Sequence, residues 1–201
     1  MIAKYSRIIT SANIEKDSGQ ANAINKGFSQ SSGDIMAWIN SDDAFAKDAL
    51  YKVANYFNMH PEVDVLYGNR IIIDGENRHI GRWMLPGHNN KQTYYCDYVP
   101  QETMFWRKSA WHATGSHIDE KLDFAIDWDL ICRFQKKGLK IVHINHVLGY
   151  FRQHDRQKTS AQIDDIGLSE MNHIRAKYIG KKVNNRIIKR KSFFYLIKHI
   201  I

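Results

Sequence analysis

Ile35-Met36-Ala37-Trp38-Ile39-Asn40-Ser41-Asp42-Asp43 is the stretch on which the reading of this chain turns. Its five leading apolar residues have the length and character of a buried strand in an α/β sheet. Two adjacent carboxylates follow at the C-terminal end of that strand, where open α/β sheets bind their ligands. Neighbouring aspartates repel one another, and a divalent cation carrying a phosphate would offset that repulsion. Taken alone, such a pair is more often a helix cap or a solvated turn, so the surrounding chain has to decide.

Outward from this strand, residues 21–30 read as a short helix, with Ile24 and Phe28 on one face and Gly33 as a stop. After the aspartates, Leu50, Val53, Ala54 and Phe57 fall at i, i+3, i+4 and i+7, a helix laid on a sheet and closed by Pro61. This helix, strand, helix order predicts an α/β unit. Val63, Val65 and Tyr67 alternate, and residues 70–73 and 78–83 flank Asp74-Gly75, a hairpin signal that makes the sheet mixed. Residues 86–92 read as loop. A helix is predicted over 124–137, with Ile126, Leu130 and Phe134 on one side and Gly138 ending it, followed by short strands at 141–144 and 147–151. A parallel α/β domain opens with a strand, and only residues 7–10 offer one here, so a segment is expected to be missing in front.

At 201 residues, 43% hydrophobic and 12% aromatic, the chain has the makings of one domain with a real core. A formal net charge of +8 suits a phosphorylated or polyanionic ligand, a nucleic acid or an anionic membrane surface. Nucleic acid is disfavoured, because the lysines and arginines are dispersed and no zinc-finger, RRM or KH pattern occurs. Cys96 and Cys132 show neither CxxC nor zinc spacing, which points to buried thiols in a reducing compartment. Residues 1–10 lack the apolar core of a signal peptide and no stretch reads as a membrane span, so a cytoplasmic protein is expected. Residues 181–201 carry Lys181, Lys182, Arg186, Lys189, Arg190, Lys191 and Lys198 with no acid, and include Phe193-Phe194-Tyr195-Leu196-Ile197. Such a tail suits either peripheral contact with the inner membrane face or a surface helix with one face docked. The expected division is a partial catalytic domain over 1–165 and a basic helical tail over 166–201.

Three constellations bear on the aspartates. Gly19-Gln20 with Ala23-Ile24-Asn25-Lys26-Gly27 sets amides at a helix N-terminus, where free donors favour an anion or a polar ring. Asp127-Trp128-Asp129-Leu130 places acids in a first helical turn, where the dipole stabilises them and where a carboxylate facing a pocket is the usual general base. Arg152-Gln153-His154 with Lys158-Thr159 supplies cations for a diphosphate and an imidazole for a metal.

In their order and spacing, these segments, together with Asn40-Ser41-Asp42-Asp43 and with Gln101-Glu102 before Phe105-Trp106-Arg107, resemble family 2 glycosyltransferases of the GT-A fold, the bacterial type that builds surface polysaccharides. The resemblance covers about residues 15 to 160. It implies a hexosyltransferase-type enzyme that moves a sugar from a nucleotide-diphosphate sugar to the hydroxyl of a saccharide or lipid-linked saccharide, with inversion. Asp127 matches the catalytic base. Asp42 falls at the DxD motif and, with His154, would hold Mn2+ or Mg2+. Gln20, Asn40, Asp43 and Arg152 would bind the donor, and Gln101, Glu102 and Trp128 would meet donor sugar or acceptor. The chain departs from the family in having Asn40 for the first DxD aspartate, Asn22 for an acid, and none of the opening strands that hold base and ribose. A non-catalytic remnant or interaction module of the same fold is the alternative.

Overall fold

In the computed structural model, which describes residues 2–154 and 166–197, Val65 and Tyr67 enter one apolar cluster and Leu66 enters another. Successive strand residues face opposite sides of a sheet, so this alternation gives the molecule two cores. The strand concerned, β3 (Val65–Ile73), is the spine of a mixed sheet. β6 (Ile141–Arg152) runs parallel along one edge of it. β5 (Phe105–Arg107) and β4 (His79–Trp83) pair antiparallel with its first and last parts. β1 (Ile35–Met36) joins β5 and β2 (Ala44–Phe45) joins β6, giving the order β1-β5-β3-β6-β2 with β4 beside β3. One face is covered by α2 (Ala49–Met59) through Ala49, Val53 and Phe57. The other carries α1 (Gln20–Ser29), α3 (Lys108–Ala113), α4 (Ile126–Lys136), α5 (Leu168–Ile179) and α6 (Asn185–Ile197), whose buried residues gather around Trp106, Trp128 and Phe134. The α/β class and the mixed sheet are as expected.

Several local expectations change. The strand predicted over 35–39 stops at Met36, because the Trp38 carbonyl accepts the Gln101 side-chain amide instead of a neighbouring strand. No strand forms over 7–10. The two strands predicted over 141–151 are one, with a bulge: from Tyr67↔His143 to Asn69↔Val147, β6 advances four residues while β3 advances two. Buried Asn69 pins that bulge by donating to Asn145 and accepting from His143 and from the Leu85 N–H. The β3–β4 turn is longer than a two-residue Asp-Gly turn, since Asp74 Oδ1 accepts the N–H groups of both Glu76 and Arg78. On α2, Val53 and Phe57 are buried as expected, whereas Leu50, 58% exposed, and Ala54 face solvent and Ala49 completes the stripe. Of the two thiols, Cys132 is buried and Cys96 half-buried, and both are free.

Candidate active site

The chain leaves β1 at Met36 and returns as β2 at Ala44, and the polar turn between them faces a groove. Its two lobes, each about 530 Å³, share Gln20, Trp38, Asn40, Asp43 and Phe151. In the first lobe the Asp43 N–H bonds back to the Asn40 carbonyl, which closes the turn and projects both aspartates. Asp43 Oδ1 accepts the Arg152 backbone N–H at 3.0 Å. The Arg152 guanidinium donates to the Asp42 and Asp74 carbonyls and to Asn77 Oδ1, tying the end of β6 to this turn and to the β3–β4 hairpin. His154, just past β6, places Nε2 3.1 Å from Asp42 Oδ2, and about a third of each side chain is open to solvent. Burial raises the Asp43 carboxyl above its ordinary value and the Asp42 charge adds to the rise, while the Arg152 N–H opposes it. Across the floor, Gln20 Nε2 donates to Asn40 Oδ1, Asn40 Nδ2 to Gln101 Oε1 and Gln101 Nε2 to the Trp38 carbonyl, a row of amides that fixes one another.

The second lobe is built from β3, β4, the 3-10 turn Gln101–Thr103 and the start of α4. Asp127 enters it from the first turn of α4, with Oδ1 accepting the Trp128 N–H. Asp97, Glu102 and Arg70 line the same space. The Arg70 guanidinium lies between the rings of Phe151 and Trp83, at 4.6 and 5.3 Å, and reaches Glu102 Oε2 at 3.5 Å. Glu102 is 2% exposed, its Oε1 has no partner among the described residues, and burial outweighs Arg70 to push its carboxyl up to about 7. Glu102 fits there because Gly149 makes room: a Cβ at 149 would lie 2.7 Å from Glu102 Cγ. Enclosure raises the Asp127 carboxyl against the Trp128 N–H and the Arg70 charge. Asp97 keeps solvent access, yet the surrounding protein and then the charge of Asp127 push it well above the usual carboxylate range.

Of the residues singled out from sequence, Gln20, Asn40, Asp42, Asp43, Gln101, Glu102 and Asp127 line the groove, and His154 reaches it through Asp42. Trp128 does not join them. Consecutive helix residues point about 100° apart, and with Asp127 toward the groove the Trp128 indole goes into the core, 1% exposed, donating to the Thr93 carbonyl at 2.7 Å. Arg152 serves the turn and hairpin with the bonds given above. Arg107, part of the motif run, donates to the carbonyls of Val63, Phe57 and His60 and fastens the end of α2. Lys158 and Thr159 lie outside the described residues. Sequence reasoning missed Arg70, Trp83, Asp97 and Met171, all of which line the second lobe.

The chain has the GT-A fold, a mixed sheet flanked by helices, with an acidic turn at one strand end and a carboxylate facing the groove from a helix start. Residues 1–118 match glycosyl transferase family 2, and the chain belongs to that family. It is 28% identical over 147 residues, 73% of its length, to the O-antigen biosynthesis protein RfbC of Myxococcus xanthus, of which it spans 11%. Its fold is similar to S. aureus TarS 1-349 in complex with UDP-GlcNAc, with a TM-score of 0.66 at 17% identity over 98% of this chain and 58% of that one. The UDP complex of the same TarS fragment gives a TM-score of 0.63, also at 17% identity, over 98% of this chain and 57% of that one.

Proposed function

We propose that this chain carries the metal-binding and base-bearing part of an inverting glycosyltransferase that moves a hexosyl group from a nucleoside-diphosphate sugar to a saccharide or lipid-linked saccharide hydroxyl in surface-polysaccharide synthesis. The observation that supports it best is the convergence on one groove of Asp42, its partner His154 from 112 residues away, and Asp127. Asp127 takes the acceptor's hydroxyl proton. The freed oxygen pair forms the bond to the anomeric carbon while the bond from that carbon to the diphosphate oxygen breaks, its electrons leaving with the diphosphate. Attack opposite the leaving group inverts the centre. The raised carboxyl of Asp127 suits a base working near neutrality. Gln20 and Asn40 bind the donor through the amide row beside the Asp43 carboxylate, Arg152 holds their turn in place, Gln101 meets sugar hydroxyls, and buried Glu102 backs that lobe through Arg70.

Mn2+ or Mg2+ fits the Asp42–His154 pair, where one carboxylate oxygen and one imidazole nitrogen meet with open sides for phosphate and water oxygens. Among the described residues no group of three or more His, Cys, Asp or Glu forms a closed protein cage, and such ions commonly use few protein ligands beside a phosphate. When bound, the ion neutralises charge on the departing diphosphate. Incubation with UDP and GDP sugars and either metal, reading nucleotide release, tests the proposal. Turnover that vanishes in Asp127→Asn supports it; none from this chain, beside an active longer relative, overturns it.

In this reading the catalytic domain runs past the expected boundary at 165 to include α5, whose Ile174 is buried in the core and whose Met171 lines the groove, and the basic helical tail is the segment beyond α5. No helix among the described residues is long and apolar enough to cross a membrane. On α6, Phe193, Phe194 and Leu196 are 59%, 60% and 51% exposed beside exposed Arg186, Lys189 and Arg190, while Tyr195 turns inward to donate to the Gly87 carbonyl. That surface favours peripheral docking on an anionic bilayer from the cytoplasmic side. Co-sedimentation with anionic but not zwitterionic vesicles is expected, and equal binding to both would rule it out.

A further inference from the structure

The backbone that delivers Asp127 has no cap of its own. Ala125 stands at the N-cap of α4, and alanine has no side-chain oxygen to accept the N–H groups that a helix start leaves open. Within the helix start Asp127 Oδ1 takes the Trp128 N–H, and the three N–H groups leading into the helix are held by a residue of another helix. Glu170, in the first turn of α5, takes the Asp123 N–H on Oε1 at 2.8 Å, and the Phe124 and Ala125 N–H groups on Oε2, both at 2.9 Å.

The same helix holds α4 again beyond Asp127. Asp129, fully buried, accepts Lys177 Nζ at 2.8 Å and the Tyr178 hydroxyl at 2.9 Å on Oδ1, and Arg133 Nε at 2.9 Å on Oδ2. Between these points the Arg175 guanidinium lies 5.2 Å from the Trp128 ring centroid and donates to the Tyr95 carbonyl. Ile174 is buried in the core, and Met171 reaches the groove beside Phe124 and Asp127. Contacts from α5 thus fall just before, beside and two residues after one side chain.

We infer that α5 is the positioning element of Asp127, with Glu170 as the positioning residue that fixes the backbone entering its turn and Lys177 and Tyr178 fixing the turn that leaves it. The inference rests on Asp127 being the base. A base must stand within hydrogen-bond reach of the proton it takes, and small misplacements are costly. The raised carboxyl of Asp127 agrees, because a firmly seated α4 keeps it enclosed between Asp97 and Arg70.

The test uses the full chain with Glu170→Ala, Glu170→Gln and Asp127→Asn. In Glu170→Ala, amide exchange at residues 123–125 is expected to quicken about tenfold or more while β3 amides stay protected. The Asp127 titration, followed by the 13C shift of its carboxyl carbon, should fall toward the ordinary carboxylate range as the turn opens to water. With donor sugar and metal, kcat should drop about tenfold or more while the donor KM stays within about twofold, and Glu170→Gln, which keeps one acceptor oxygen, should recover part of it. Amides 123–125 that remain protected overturn the inference, as does an unmoved Asp127 titration once they are released. Because exchange and titration need no turnover, they decide the inference even if the chain transfers no sugar. Failure of the base assignment shows separately, as turnover retained by Asp127→Asn.

Discussion

Asp42 and Asp43 stand at a turn whose polar demands are met by the Arg152 backbone and guanidinium, His154 and open solvent, whereas Asp97, Glu102 and Asp127 share a lobe whose lining offers them one cation, Arg70. Both lobes are acidic, but they suit different chemistry. In the first, a carboxylate and an imidazole 3.1 Å apart are open enough to share a further charge, which is what a metal-bound phosphate brings. In the second, enclosure and repulsion raise proton affinity, which is what a group accepting a proton near neutrality needs. In the proposed reading, charge binding and proton transfer thus occupy separate lobes of one groove.

The largest effect that would break it is on Asp127. Asp127→Asn keeps shape and removes the proposed base, so kcat should fall about a hundred- to ten-thousandfold with little change in nucleotide affinity, read as nucleotide release and as calorimetric binding of free nucleotide. His154→Ala should act the other way round. With Asp42 left as a single ligand, half-saturation by Mn2+ should rise about ten- to a hundredfold, and excess metal should restore turnover. If both variants lose activity in the same way, the division between the lobes is wrong.

The first lobe was more legible in the sequence than the second. Asp42 and Asp43 follow an apolar run at a strand end and His154 falls in an ordered motif, so local pattern pointed to them, whereas in the second lobe it pointed to Gln101, Glu102 and Asp127 but not to the rest of the lining. Arg70 occupies a strand position in a segment read as half of a hairpin, and nothing local says that Phe151 and Trp83 will flank it. Asp97 follows a loop without periodicity. Glu170 sits in a stretch read as tail, and its role exists only through backbone N–H groups 45 to 47 residues earlier. Trp128 was misplaced because the motif supplies a neighbour of Asp127 without the helical phase that turns it away. The doubled strand over 141–151 has the same origin, since a bulge pinned by Asn69 of another strand interrupts the alternation.

Glu102 gives a smaller effect, on stability. Its carboxyl is raised in the fold from an ordinary 4.5 to about 7, so between those values the native state holds the proton more firmly than the unfolded chain. Stability from this group is therefore present below about 4.5 and lost as pH rises through about 7, by roughly 3 kcal/mol for the shift. Glu102→Gln removes the charge and nearly keeps the shape, so its Tm should gain on the parent as pH climbs from 5 to 8. A parent and variant whose Tm curves stay parallel would show that Arg70 balances the buried charge.

The finest distinction concerns Asp97, which shares the second lobe but keeps solvent access. Two carboxylates in one enclosure repel when both are charged, so each makes the other harder to ionise, and their titrations belong to the pair. Asp127 must be ionised to take a proton, so turnover should rise with pH through its titration. Asp97→Asn removes the like charge, lets Asp127 ionise earlier and should move the acidic limb of kcat/KM to lower pH. Solvent at Asp97 screens the interaction, which holds the shift to less than about one pH unit and makes it shrink in high salt. The same change leaves a weaker base, so the plateau above the limb should fall slightly, as Brønsted behaviour requires. A limb that moves toward higher pH would mean that Asp97 supports ionisation of Asp127, and the second lobe would then hold its charges as the first does, by satisfying them.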